Sequence, residues 1–481
     1  MLKIGMIKKD FTPPAQITLC GQFRQRVSTH VESPICANVF AAEKDGVQLI
    51  IAACDLVGIS DELLEHIRRF VQIKNPEIDT EKLIVCATHI HTGPYIATEE
   101  LGLHAAAAYL PEDMRFEDET QPEPDVWQAE ECIPYVAERI AEAICEAWEK
   151  REEALVAPGF GRAVVGHCRR TTYTDGSGRM YGATDTVGFD ALEGGNDSGI
   201  ELLYVFHKDE AKTPMGALVN IACPSQVVEN QNYISADYWG KVRDRMEAAM
   251  GEGFVTVGLC SAAGDQSPRD QIRKGVDRRM DKNMQEPEGC IQIAERICPE
   301  LLRELAEVQA LATDDICLKN EVRPLRLPLR RVTGAEAADA EERIKREIER
   351  LRSEGKMILR ARDMQKLHYE GGVLNRAKLQ ETRNFYDMEL HVARIGDMAI
   401  ATSPFELFLD FGNRIRARSK AAQTVLIQLS NGSAGYLPTA KAEKGGSYSA
   451  YVGSGNVGHE GGQLLVDATL EIITKLFERD M

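Results

Sequence analysis

Apolar residues along the chain follow two rhythms. Residues 47–54, 83–88, 202–207, 217–222, 254–260 and 424–430 are short apolar runs without polar alternation. They predict strands covered on both faces, since a strand with one wet face alternates apolar and polar positions. Residues 388–395 and 398–402, separated by Gly396-Asp397, read as a hairpin, and Asp175-Gly176-Ser177-Gly178 reads as a second turn. The other rhythm is helical. Ile133, Val136, Ile140 and Ile144 recur at three- and four-residue spacing and form one apolar stripe, and residues 61–73, 290–312 and 461–477 behave alike. Residues 335–352 are highly charged, with only Ile344, Ile348 and Leu351 as an apolar seam. They predict a surface helix opening a helical insertion at about 335–384. Residues 111–131 are acidic, contain proline and lack a period, which predicts an exposed loop and a candidate lid. With no internal repeat, low-complexity tract or Pro/Gly/Ser linker in view, residues 1–481 are expected to form a single α/β domain of mixed sheets covered by helices.

Composition narrows the class. At 43% hydrophobic and 27% charged residues, the chain has the balance of a globular protein with a large core. No segment approaches the roughly 20 apolar residues of a membrane-spanning helix, and Met1–Asp10 lacks the apolar stretch of a secretory signal. The twelve cysteines are scattered, with no CxxC pair, which suits a reducing compartment; a cytoplasmic location is expected. A net charge of −18 repels phosphate backbones and anionic lipid, so nucleic acid and membrane surfaces are excluded as partners. A small-molecule substrate remains, with homo-oligomerisation left open.

Four strings carry candidate chemistry. Thr88-His89-Ile90-His91-Thr92-Gly93-Pro94 follows the run at 83–88. If that strand continues, its period of two puts His89 and His91 on one face at the strand's C-terminal end, where α/β enzymes place chemistry. Two imidazoles there can share a metal, or one can bind metal while the other meets substrate. Alternatively they are hydrogen-bonded loop residues. Ser267, in Asp265-Gln266-Ser267-Pro268-Arg269, is exposed at another strand end or caps a helix with Pro268 behind it. Ser403-Pro404-Phe405-Glu406 also spells a helix capping box. The segment with Tyr436 and Tyr448 is glycine- and tyrosine-rich. No HExxH, Walker A, EF-hand loop or nucleotide-binding glycine motif is present, so a site must be assembled from distant segments.

Taken in order, these strings resemble the catalytic domain of the neutral (non-lysosomal) ceramidases. THIHTGP at 88–94, AAGDQSPR at 262–269, SPFE at 403–406 and GYLPT…GGSYSAY at 435–451 stand where that family carries THTHSGP, AGNLSPN, PGE and QYVTT…YEGAS. The resemblance implies a neutral-ceramidase-like α/β fold and a zinc-dependent amide hydrolase. It implies His89, Glu406 and Tyr448 as Zn2+ ligands, His91 beside the scissile carbonyl as an oxyanion donor, and Ser267 at the position often assigned as nucleophile. Arg169 would hold substrate or transition state, and Tyr436 would line the site. Where the family has a second zinc histidine, in a VHPTS-like segment, this chain has Cys223, and a thiolate is a sound zinc ligand. The chain ends soon after its last helix, without room for the family's immunoglobulin-like domain. The expected substrate is therefore a small, soluble amide or related acyl compound. The alternatives are a hydrolase or lyase acting on a polar, carbohydrate-like metabolite, and a non-catalytic metal-binding scaffold.

Overall fold

A computed structural model describes residues 1–98, 103–117, 125–275 and 284–478. One arrangement of strands and helices occurs three times in succession. The first unit runs β1 (Lys3–Asp10), β2 (Cys36–Lys44), β3 (Val47–Cys54), α1 (Asp61–Lys74), β4 (Leu83–Ala87) and α2 (Ala129–Glu149). The second runs β5 (Glu152–Arg162), β6 (Gly199–His207), β7 (Pro214–Ile221), α3 (Asp237–Met250), β8 (Val255–Cys260) and α4 (Pro287–Val308). In the third, β9 (Leu318–Pro328) is followed by two extra helices, α5 (Gly334–Ser353) and α6 (Ala361–Thr382). The order then resumes with β10 (Phe385–Ile395), β11 (Met398–Thr402), α7 (Leu409–Arg418), β12 (Gln423–Ile427) and α8 (His459–Phe477).

In every unit the first two strand pairings are antiparallel and the last is parallel. The first two units join through β1 and β5 into one eight-stranded sheet, β8-β7-β6-β5-β1-β2-β3-β4, while the third forms β9-β10-β11-β12. The expectation of no internal repeat is thus corrected. The repetition lies in topology, and the residues filling equivalent places differ too much to show it in sequence.

Alternate side chains of the strands face opposite ways, and both faces are dry. Phe40, Ile51, Ile84, Leu203, Leu218, Val257, Ile395, Ile400 and Val425 meet in one central core shared by all three units. The opposite faces are covered unit by unit: Val39, Ala52 and Val85 by α1 and α2, Leu202, Ala217 and Val219 by α3 and α4, and Leu390, Val392 and Leu426 by α7 and α8. That double covering is why the strands read as unbroken apolar runs. Arginines on the first helix of each unit tie it to another unit. Arg68 of α1 pairs with Glu389 of β10 at 2.6 Å, Arg243 of α3 with Asp55 behind β3 at 2.5 Å, and Arg416 of α7 with Asp197 at 3.0 Å.

The inserted helices match the charged segment read from sequence. Thr333 and Glu336 form a capping box at the start of α5, and Leu351 and Leu367 bury against Leu103 and Met114. Arg115–Phe116 pairs in parallel with Ile358–Leu359, so part of the candidate lid is bound to the insertion. Residues 118–124 of it lie outside the described residues. All twelve cysteines are unpaired thiols. Among the described residues no helix is long and apolar enough to cross a membrane.

Candidate active site

The chain leaves the sheets at the ends of the third and fourth strands of each unit, and these corners bring His89, Glu406 and Tyr436 together. After β4 the strand does not continue. His89 adopts φ +68°, and its backbone N–H bonds Leu56 O at 2.9 Å. The two imidazoles therefore meet through a tight reversal rather than through the period of a strand, with ring centroids 5.0 Å apart and planes at 87°. His89 Nδ1 lies 2.5 Å from Val57 O. A carbonyl only accepts, so Nδ1 carries a proton, and Nε2 is turned toward Glu406. Gly21, at φ +95°, lies flat on His91, where a Cβ would come within 2.4 Å of the ring.

Glu406 arrives from the corner after β11. No helix starts until Leu409, so Ser403 and Glu406 form no capping box. Instead Glu406 pairs in parallel with Tyr436 in a two-residue strand, and its carboxylate stands 3.3 Å from His89 Nε2. Arg169 reaches the same place from between β5 and β6. Its Nη2 donates to Gly264 O at 2.9 Å and to Tyr436 Oη at 3.3 Å and stands 3.6 Å from Glu406, while Nη1 donates to Gln226 Oε1 at 3.2 Å. Tyr448 stands one ring further out, edge-on to Tyr436 at 5.4 Å, with Phe23 and Tyr369 packed against it at 5.5 and 6.1 Å. The insertion thus supplies part of the site's aromatic wall.

Ser267 neighbours this cluster without joining it. It pairs with His167 in a short strand rather than capping a helix, and its Oγ accepts from Tyr181 Oη at 3.1 Å and from Arg269 N at 3.2 Å. Cys223 lies two residues past β7, its N–H turned back to Ile221 O at 2.9 Å. It is fully buried within the apolar core of the second unit, and its Sγ donates to Pro224 O at 3.4 Å.

Burial sets the electrostatics. It would raise the Glu406 carboxyl, but His89, Arg169 and the Tyr436 hydroxyl outweigh it and hold the group below the ordinary carboxylate range. Burial, with His89 and the cations Arg26, Arg169 and Arg269 nearby, pushes His91 well below its usual value, so it is neutral. Burial pushes the Cys223 thiol well up, with Cys260 and Asp237 adding to it.

His89 and Glu406 fit a divalent cation. Nε2 is buried and faces the Glu406 carboxylate at 3.3 Å, and positive charge between them, a proton on Nε2 or a cation in its place, is what holds the two together. Two donors each about 2 Å from one tetrahedral ion stand roughly 3.3 Å apart, as these do. Among the described residues no three His, Cys, Asp or Glu side chains converge as a ready metal cage. The phenol nearest the pair is Tyr436.

Sequence reasoning missed three members of the site. Gln226 touches Arg169 and His91, Glu229 stands 3.6 Å from His91 Nδ1, and Tyr181 holds Ser267. Gln226 and Glu229 lie three and six residues beyond Cys223, and their place just past the apolar run at 217–222 was the available signal. Tyr181 follows the predicted turn at 175–178 and carried none.

No protein-family model matches the sequence, and neither does any curated protein. Solved structures do match in fold, two of them ceramidases. One is the crystal structure of neutral ceramidase from Pseudomonas aeruginosa, with TM-score 0.67 and 18% identity over 98% of this chain and 75% of that one. The other is a ceramidase complexed with C2, with TM-score 0.66 and 17% identity over the same shares. The chain has the neutral-ceramidase-like α/β fold.

Proposed function

We propose that this chain is a metal-dependent hydrolase that cleaves an amide or related acyl bond of a small, soluble substrate. The observation carrying the reading is the buried pair of His89 and Glu406, whose facing donors match two ligands of one ion, set beside Arg169 and Tyr436. The fold likeness to two ceramidases supports the bond class. Zn2+ is the ion of choice for an imidazole and carboxylate set, and when bound it polarises an acyl carbonyl or acidifies water. His89 and Glu406 would hold it, with a phenol oxygen beside them. Tyr448 and Cys223 are the further ligands implied by resemblance.

The chain's own residues then have definite tasks. Arg169, fixed by Gly264 O and Gln226, sets a permanent positive charge where negative charge grows on the acyl oxygen. Tyr436 adds a hydroxyl at the same place. Ser267 already accepts two hydrogen bonds, from Tyr181 and Arg269, which favours water over the serine as nucleophile. Phe23, Tyr369 and Tyr448 crowd one approach, which favours a compact substrate over a long lipid. Twelve unpaired thiols support a cytoplasmic location.

Elemental analysis of the purified protein, with His89→Ala and Cys223→Ala beside it, tests the reading. About one zinc per chain, lost in His89→Ala, is expected, followed by cleavage in a screen of soluble amides. Loss in Cys223→Ala as well would make the thiol a ligand. No stoichiometric metal in wild type after zinc reconstitution would end the metal-hydrolase reading.

A further inference from the structure

Gln226 lies between the charged residues of the site and is 2% exposed. Its Oε1 accepts from Arg169 Nη1 at 3.2 Å, and its Nε2 stands 2.9 Å from His91 Nε2. Chemistry dictates which amide atom faces which neighbour. A guanidinium has five N–H donors and no acceptor, so the amide must turn its oxygen to Arg169. Arg169 has little freedom to move, because Nη2 is tied to Gly264 O and Tyr436 Oη. The amide N–H therefore points at His91, and such a donor needs a lone pair on Nε2. The imidazole proton is left on Nδ1, the side where Glu229 stands 3.6 Å away, itself paired with Arg269 at 2.7 Å. The ring is confined by the backbone of Gly21 against its face and by Arg26, which donates to His91 O at 2.6 Å.

We propose that Gln226 is a positioning residue that, locked by Arg169, holds His91 as its Nδ1–H tautomer by engaging the Nε2 lone pair, which leaves no Nε2–H to donate to a substrate. Partners of this kind fix the tautomer and orientation of functional imidazoles. The consequence for chemistry rests on the hydrolase reading. His91 so held has no Nε2–H to offer, and charge on the acyl oxygen falls to Arg169 and Tyr436. The oxyanion-donor role that the resemblance implies for His91 requires the opposite tautomer.

The test is long-range 1H–15N correlation spectroscopy of the full chain with 15N-labelled histidine at neutral pH. The protein has ten histidines, and the His91 signals are assigned by their loss in His91→Gln. If that variant does not fold, they are assigned by their shift in Gln226→Glu, the substitution at the residue touching the ring. Wild type is expected to show an unprotonated Nε2 and a protonated Nδ1. In Gln226→Glu the carboxylate accepts from both neighbours, so the proton is expected to move to Nε2. A wild-type His91 protonated at Nε2 overturns the inference, and so does a Gln226→Glu spectrum with the tautomer unchanged. The spectra read the tautomer without turnover, so failure of the hydrolase reading and failure of this inference are separate results.

Discussion

The corners after β7 and β11 occupy the same place in their units, and each carries one predicted metal ligand, Cys223 or Glu406. Their side chains end in different environments. Glu406 is pinned by its pairing with Tyr436 and presents its carboxylate to His89 and Arg169. Cys223 sits in a tight turn just past its strand, its N–H bonded back to Ile221 O, and its thiol stays within the apolar core beneath α3 and α4, bonded to its neighbour's carbonyl. The second unit still sends a polar group into the site, but it is the Gln226 amide, three residues on, and it is uncharged. Equivalent topology therefore places a loop, while the path of the next few residues decides which side chain arrives. The corresponding corner of the first unit has a third use. Asp55, fully buried, pairs with Arg243 at 2.5 Å and tethers α3.

Substitution at each corner tests that contrast. Glu406→Gln keeps the shape but removes the charge facing His89. Turnover on a cleaved amide is expected to fall at least about a thousandfold, the scale of losing a central electrostatic group, with zinc lost in elemental analysis. A variant retaining metal and activity would put the metal elsewhere. Asp55→Asn leaves Arg243 buried without its anion, so about 3 kcal/mol of stability should disappear in denaturant titration. Cys223→Ser buries a hydroxyl in place of a thiol and should cost about 1–2 kcal/mol, with turnover within about threefold of wild type. A hundredfold loss of turnover together with loss of zinc would erase the distinction between the two corners.

The smallest effect concerns the tie between the first and third units. Burial would raise the Glu389 carboxyl, but hydrogen bonds from His391 and Arg68 prevail and hold it at about 2, below its ordinary 4.5. A depressed carboxyl contributes stability that is complete above about pH 4.5 and disappears as pH falls through about 2. Melting temperature should therefore decline across that window, and Arg68→Met should flatten the decline.

Most of the elements covered on both faces could be read from the chain. The runs at 47–54, 83–88 and 254–260 coincide with β3, β4 and β8 to within a residue, since unbroken apolar sequence and a dry environment are two descriptions of one fact. β9 was missed because its residues are largely half-exposed and carry Lys319, Arg323 and Arg326 at the molecule's rim. β1 likewise mixes lysines into a partly exposed strand. The helices α3 and α7 were missed as well. The tyrosine-bearing loops gave no local signal of where their rings would meet.

The sequence by itself determined the class, the covered strands, the amphipathic helices and the identity of most groups in the site, because these follow from hydrophobic period and residue chemistry. Tertiary structure alone decided that three unlike segments share one topology. It also put His89 in reversed backbone opposite Glu406, kept Cys223 in the core, and let Gln226 reach His91. The meetings of His89 with Glu406 and of Gln226 with His91 join residues more than a hundred positions apart, which no local pattern encodes.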